Sequence, residues 1–171
     1  MFEQGGEGWG VSSIVMLVVV FLIFPLYDAL AKSSLGKDIR VMGGIGFVVI
    51  ALVVYAMSSW AGFSYRAYSI HTGVMFGMIM IANVWMRIWP AQKKIIPAIK
   101  EGTPPDAALL VQTAQRSRHN TYLSVPLIWT MINSHTVVPG SDSPLWLLGV
   151  VLVGWLGVSL IYGKAAKLKG M

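Results

Sequence analysis

The stretch VSSIVMLVVVFLIFPLYDALA, residues 11–31, holds one charged side chain, Asp28, in 21 positions. At 1.5 Å per residue, a helix of that length reaches about 30 Å, the thickness of a bilayer's hydrocarbon core. Pro25 lies inside it, which a membrane helix tolerates because neighbouring helices satisfy the freed carbonyl. Glu3 and Glu7 precede the run where a secretory signal would carry basic residues, so the run reads as a retained helix.

Similar runs follow at about residues 41–60, 68–89, 120–137 and 145–162. The fourth is barely long enough to cross and contains Pro126. The chain of 171 residues is 56% hydrophobic and 12% charged, with a mean hydropathy of +0.67. Soluble domains carry about twice that charge fraction. The expectation is an all-α integral membrane bundle of five spans, forming a single domain over residues 1–171.

Lys32, Lys37 and Arg40 lie between the first two runs, Lys93, Lys94, Lys100, Arg116 and Arg118 between the third and fourth, and Lys164, Lys167 and Lys169 after the fifth. The opposite side carries Glu3, Glu7, Asp142 and only Arg66. The positive-inside bias therefore predicts the N-terminus outside and the C-terminus inside. It also explains the net charge of +6 by contact with an anionic leaflet, without nucleic acid. There are no cysteines, which excludes disulfides, iron–sulfur clusters and covalent c-type haem. Residues 89–118 read as one long cytoplasmic loop punctuated by Pro90, Pro97, Pro104 and Pro105. Within it an amphipathic helix is expected, capped by Thr103 with Pro104 in its first turn and running into the fourth span.

Ionisable and amide side chains within spans face protein, water or a cofactor. The third run, HTGVMFGMIMIAN at 71–83, starts with His71, spaces Gly73 and Gly77 four apart and ends on Asn83. The glycines serve close helix packing or leave room for a flat cofactor beside His71. Asn83 calls for an interhelical hydrogen bond. Trp85, Arg87 and Trp89 read as interface belt and snorkelling cation. Met75, Met78 and Met80 do not share a face, which argues against a thioether copper site. In the fourth run His119, Tyr122, Pro126, Trp129 and Asn133 step by three and four along one face. His119 and His135 lie sixteen residues apart, about 24 Å along a helix, and cannot share a metal. His71 and His135 fall at similar depth near the outer surface. If their helices pack, they could be the axial ligands of a non-covalent b-type haem, ligands of a metal ion, or members of a polar network with no cofactor.

The segments IHTG at 70–73, NVWMRIWPAQK at 83–93, RSRHNTYLSVP at 116–126 and MINSH at 131–135 resemble the N-terminal membrane domain of the bacterial membrane-bound urate oxidase (urate hydroxylase) family. The resemblance covers roughly the middle 70 residues, less than a domain of ordinary size. It implies a membrane oxidoreductase of the bacterial inner membrane that converts urate to 5-hydroxyisourate. Electrons would leave through a periplasmic cytochrome c domain fused at the C-terminus. The motif positions are His71, Asn83, Trp89, Gln92, Arg118, His119, Asn120, Tyr122, Asn133 and His135, without individual roles. The family's proteins are longer, and this chain has no Cys-x-x-Cys-His. It is therefore expected to act as a subunit with other membrane proteins and a separate periplasmic cytochrome c, or as an assembly subunit with no cofactor of its own. A small-solute transporter is the weaker alternative, since no inverted repeat is visible.

Overall fold

The computed structural model describes residues 10–133 and 143–168. Six α-helices account for nearly all of them: α1 Val11–Lys32, α2 Ile39–Tyr55, α3 Tyr65–Asn83, α4 Trp89–Lys100, α5 Ala107–Asn133 and α6 Pro144–Leu168. No strand occurs among the described residues. Among the described residues, four stretches are long and apolar enough to cross a membrane: Val11–Lys32, Ile39–Trp60, Tyr65–Lys100 and Pro144–Lys167. Their apolar side chains cover the outside as well as the inside. Leu22, Leu52, Val153 and Leu160 are each more than 60% exposed, which water would penalise and a lipid solvent does not.

α5 is the exception. It is less apolar than the four, and it buries Arg116, His119, Thr130 and Asn133 while Ile128 and Ile132 face outward. The expected fourth span falls on it, and that span's end, 134–137, lies outside the described residues.

α3 and α5 pack face to face, α1 lies against α3, and α6 lies against α5. Met16 and Val20 of α1, Val54 of α2, Tyr68, Met75 and Phe76 of α3, and Leu147 and Val151 of α6 are buried together between them. Gly73 is where α3 and α5 touch. A Cβ there would collide with Thr130 Oγ1 and approach Met131 Cε to 2.9 Å. The packing reading of this glycine therefore holds, and on that face α5 fills the room that a flat cofactor would need.

The connections follow from local chemistry. After α1, Gly36 lies so close that a Cβ would come within 2.6 Å of Ala31 Cα. Gln115 of α5 donates to Gly36 O (2.7 Å) and Ala31 O (3.3 Å), satisfying carbonyls that the end of α1 leaves open. Asp38 caps α2 by accepting from the Arg40 N–H at 2.8 Å.

Of the long loop expected over 89–118, the helix that runs into the fourth span is α5, but the part before it is helical too, and the two form a hairpin. α3 passes through a π-turn at Val84–Ile88 and continues as α4, turns back near Gly102 (φ 71°), and returns as α5. The prolines are accommodated rather than disruptive. Pro90 sits in the first turn of α4, just after the π-turn, where a widened turn relieves its ring and its missing N–H. Nor is Thr103 the cap of α5. Its hydroxyl donates back to Ala98 O (3.1 Å), and Asp106 accepts from the Ala108 N–H (2.8 Å).

Candidate functional site: a buried charge cluster beside an apolar cavity

α1 carries Asp28 on the face that meets α3 and α5, where its side chain is 10% exposed. A carboxylate there needs compensation, since a buried unpaired charge is prohibitive. Three cations supply it. Arg116 of α5 donates from Nη2 to Oδ1 at 2.8 Å and is itself 1% exposed. Arg87, in the π-turn, forms a two-pronged pair, Nε to Oδ1 at 2.8 Å and Nη2 to Oδ2. Lys32, one turn along α1, reaches Oδ2 at 2.8 Å from the surface. The π-turn carries Arg87 inward, and its own freed carbonyl accepts from Gln112 Nε2 at 3.4 Å. Arg87, expected as a snorkelling cation at the interface, is partly exposed but paired with Asp28. The acidic partner buried on α1 is what draws it in.

A neutral network adjoins the charges. Asn83 is fully buried; its amide N–H groups donate to Asn120 Oδ1 (2.8 Å) and Tyr27 Oη (2.9 Å), and its carbonyl accepts from Arg116 Nη1 (3.4 Å). Asn120 donates onward to Met80 O at 3.1 Å. Tyr27 Oη lies 2.8 Å from His119 Nδ1, and the Arg116 guanidinium stands 5.2 Å from the Tyr27 ring centre. Arg116 Nε is buried with no hydrogen-bond partner among the described residues.

Of the ten motif positions, Asn83, His119 and Asn120 meet in this network. Tyr122 is nearby, stacked on Tyr162 with centroids 6.0 Å apart, and Arg118 lies over the Tyr162 ring at 5.0 Å. Trp89 is half-exposed under Lys93, and Gln92 follows it on α4, away from the network. Asn133 donates to Tyr65 Oη at the opposite end of α5. Tyr27, Asp28, Arg87 and Arg116 are the residues sequence reading missed. The signal was present: one carboxylate in an otherwise apolar span has to face a cation.

His71 lies at the far end of α3. Its Nδ1 is 2.6 Å from Ala67 O and its ring packs on Phe63 at 5.1 Å. Since a carbonyl only accepts, Nδ1 carries the hydrogen of this bond, and Nε2 has no hydrogen bond among the described residues. This is the arrangement that orients a ligating imidazole. His135, its expected partner, lies outside the described residues. No cluster of three metal-ligating side chains occurs among the described residues.

Beside His119 lies a cavity of about 410 Å³ walled by α1, α2, α3, α5 and α6. Phe47, Phe76 and Trp155 make its aromatic wall, and Gly43, Gly44 and Gly46 line its α2 side.

The model of the urate oxidase N-terminal family matches residues 8–163. No curated protein and no solved structure gives a significant match.

Proposed function

Since the chain belongs to the urate oxidase N-terminal family, we propose that it is a urate-hydroxylase-related membrane subunit that takes part in electron transfer. The family match over 8–163 carries this reading, and the setting of His71 supports it. With Nδ1 tied to Ala67 O and Nε2 free, His71 would hold a b-type haem, with His135 as the second ligand. Such a group supplies one-electron transfer when bound. The chain's own part is to fix the imidazole through Ala67 O and Phe63 and to shield it within the bundle. Its orientation is N-terminus outside and C-terminus inside, in a bacterial inner membrane, so that His71 lies near the periplasmic face and within reach of a separate cytochrome c. Purified protein should show a Soret band that His71→Ala removes. A colourless preparation with full helical content would overturn this reading.

A second reading, an assembly subunit with no cofactor, is favoured by the close α3–α5 contact at Gly73 and by the use of Asn83, His119 and Asn120 in one interhelical network. Stable association with a large membrane complex, without absorbance of its own, would support it over the first.

A further inference from the structure

The cavity beside His119 has the size of small-molecule sites, which run from about 300 to 1,000 Å³. Three glycines of α2 create the space, and a Cβ at Gly43 or Gly44 would meet nothing within 4 Å. Its rim includes Leu26, Leu152 and Leu156, all exposed, so it opens onto the lipid-facing surface.

Among the polar groups on this wall, His119 is tied at one ring nitrogen. Tyr27 Oη, which accepts from Asn83 Nδ2, lies 2.8 Å from His119 Nδ1 and can give that nitrogen its own hydrogen. In that arrangement the imidazole's hydrogen sits on Nε2. His119 is 5% exposed and lines the cavity, and its Nε2 has no hydrogen-bond partner among the described residues. Trp155 Nε1, on the same wall, is buried with no hydrogen-bond partner among the described residues. A buried N–H without an acceptor is costly, so an acceptor brought by a ligand is worth more here than at an exposed site.

We propose that this cavity binds a lipid-soluble quinone, with a ring carbonyl accepting from His119 Nε2–H. The ring packs against the aromatic wall of Phe47, Phe76 and Trp155, and the tail leaves past Leu152 and Leu156 into the bilayer. An acyl chain would fill the volume but leave the N–H unmet. Arg40, Tyr122 and Ser159 also line the cavity, but most of the lining is apolar, which suits a quinone's ring and tail better than a free purine with polar atoms around its whole edge. The inference stands on the cavity and His119 alone, at the end of the bundle opposite His71. A haem-free protein would leave it intact.

The test uses the full chain in phosphatidylcholine nanodiscs, titrated with decylubiquinone and followed by quenching of tryptophan fluorescence. Wild type should quench saturably. His119→Leu should bind about fivefold more weakly, the effect of one net hydrogen bond, and His119→Gln, which restores an N–H donor, should recover most of it. Gly43→Leu, placed where the backbone faces open space, should abolish saturable binding with helical content unchanged, so the test survives a poorly folding His119 variant. Quenching that is linear in quinone, or equal in wild type and Gly43→Leu, would overturn the proposal. So would mass spectrometry showing a retained phospholipid that decylubiquinone does not displace.

Discussion

Ala67 O can only accept a hydrogen bond, so His71 gives it the hydrogen on Nδ1, whereas His119 Nδ1 faces a Tyr27 hydroxyl that can either give or accept. The same reasoning ranks the charges around Asp28. Arg116 is 1% exposed, so losing the carboxylate would strand a guanidinium out of water, whereas Lys32, at 55%, would simply be hydrated. Asp28→Asn should therefore destabilise the protein by about 3–5 kcal/mol, the cost of breaking a buried pair by removing one partner. Lys32→Ala should cost less than about 1 kcal/mol, as for other exposed pairs. Unfolding curves in mild detergent, followed by tryptophan fluorescence, would distinguish the two. Equal shifts would mean that the Arg116 pair is not the stabilising one.

Two glycines one turn apart on α3 have opposite roles. Gly73 lies against Thr130 and Met131, whereas a Cβ at Gly77 would meet nothing within 4 Å. Gly73→Ala should therefore lose about 1–3 kcal/mol by overpacking the α3–α5 contact. Gly77→Ala should be neutral or gain up to about 1 kcal/mol, the difference in helix propensity. The same unfolding curves read both, and matched effects would show that the helices do not meet at Gly73. The glycine spacing was legible in the sequence, but which of the two glycines carries the contact was not, because that depends on the rotation of α3 about its axis. The spans themselves were legible because long apolar runs have few alternatives to a helix in lipid. Asn83 and His119 were legible as inward-facing for the same reason. α4 was not, since four prolines between 90 and 105 read as loop, and only the π-turn shows how a helix passes through Pro90, whereas the helix expected after Pro104 and running into the fourth span is α5. Arg87 was missed for a related reason: a regular helix would give no cause to aim it at Asp28, and the π-turn changes the register by which side chains are counted.

Across the whole molecule, the ion pairs gather one set of ends. Lys32, Arg87 and Arg116 converge on Asp28, and Arg40 lines the cavity that His119 also lines. Arg66, at the start of α3, lies at the other end. The tertiary structure thus puts the loop cations together on one side, as the positive-inside rule requires if α5 is counted as a crossing helix. By composition α5 is the least apolar of the long helices, because its buried face is polar and its first half belongs to the hairpin. The parity of spans depends on it: with five crossings the termini lie on opposite sides, and with four they share one. Fusions at the two termini decide between these. With the proposed orientation, in which Lys164 and Lys167 keep the C-terminus on the cytoplasmic side, a C-terminal green fluorescent protein should be bright and a C-terminal alkaline phosphatase inactive. An N-terminal tag should be accessible to protease from the periplasmic side of intact spheroplasts. If the N-terminal tag were protected while the C-terminal reporter stayed bright, α5 would not cross. His71, which shares its end of the bundle with the start of α1, where Ser13 Oγ donates to Ala61 O, would then lie on the cytoplasmic side, away from a periplasmic acceptor.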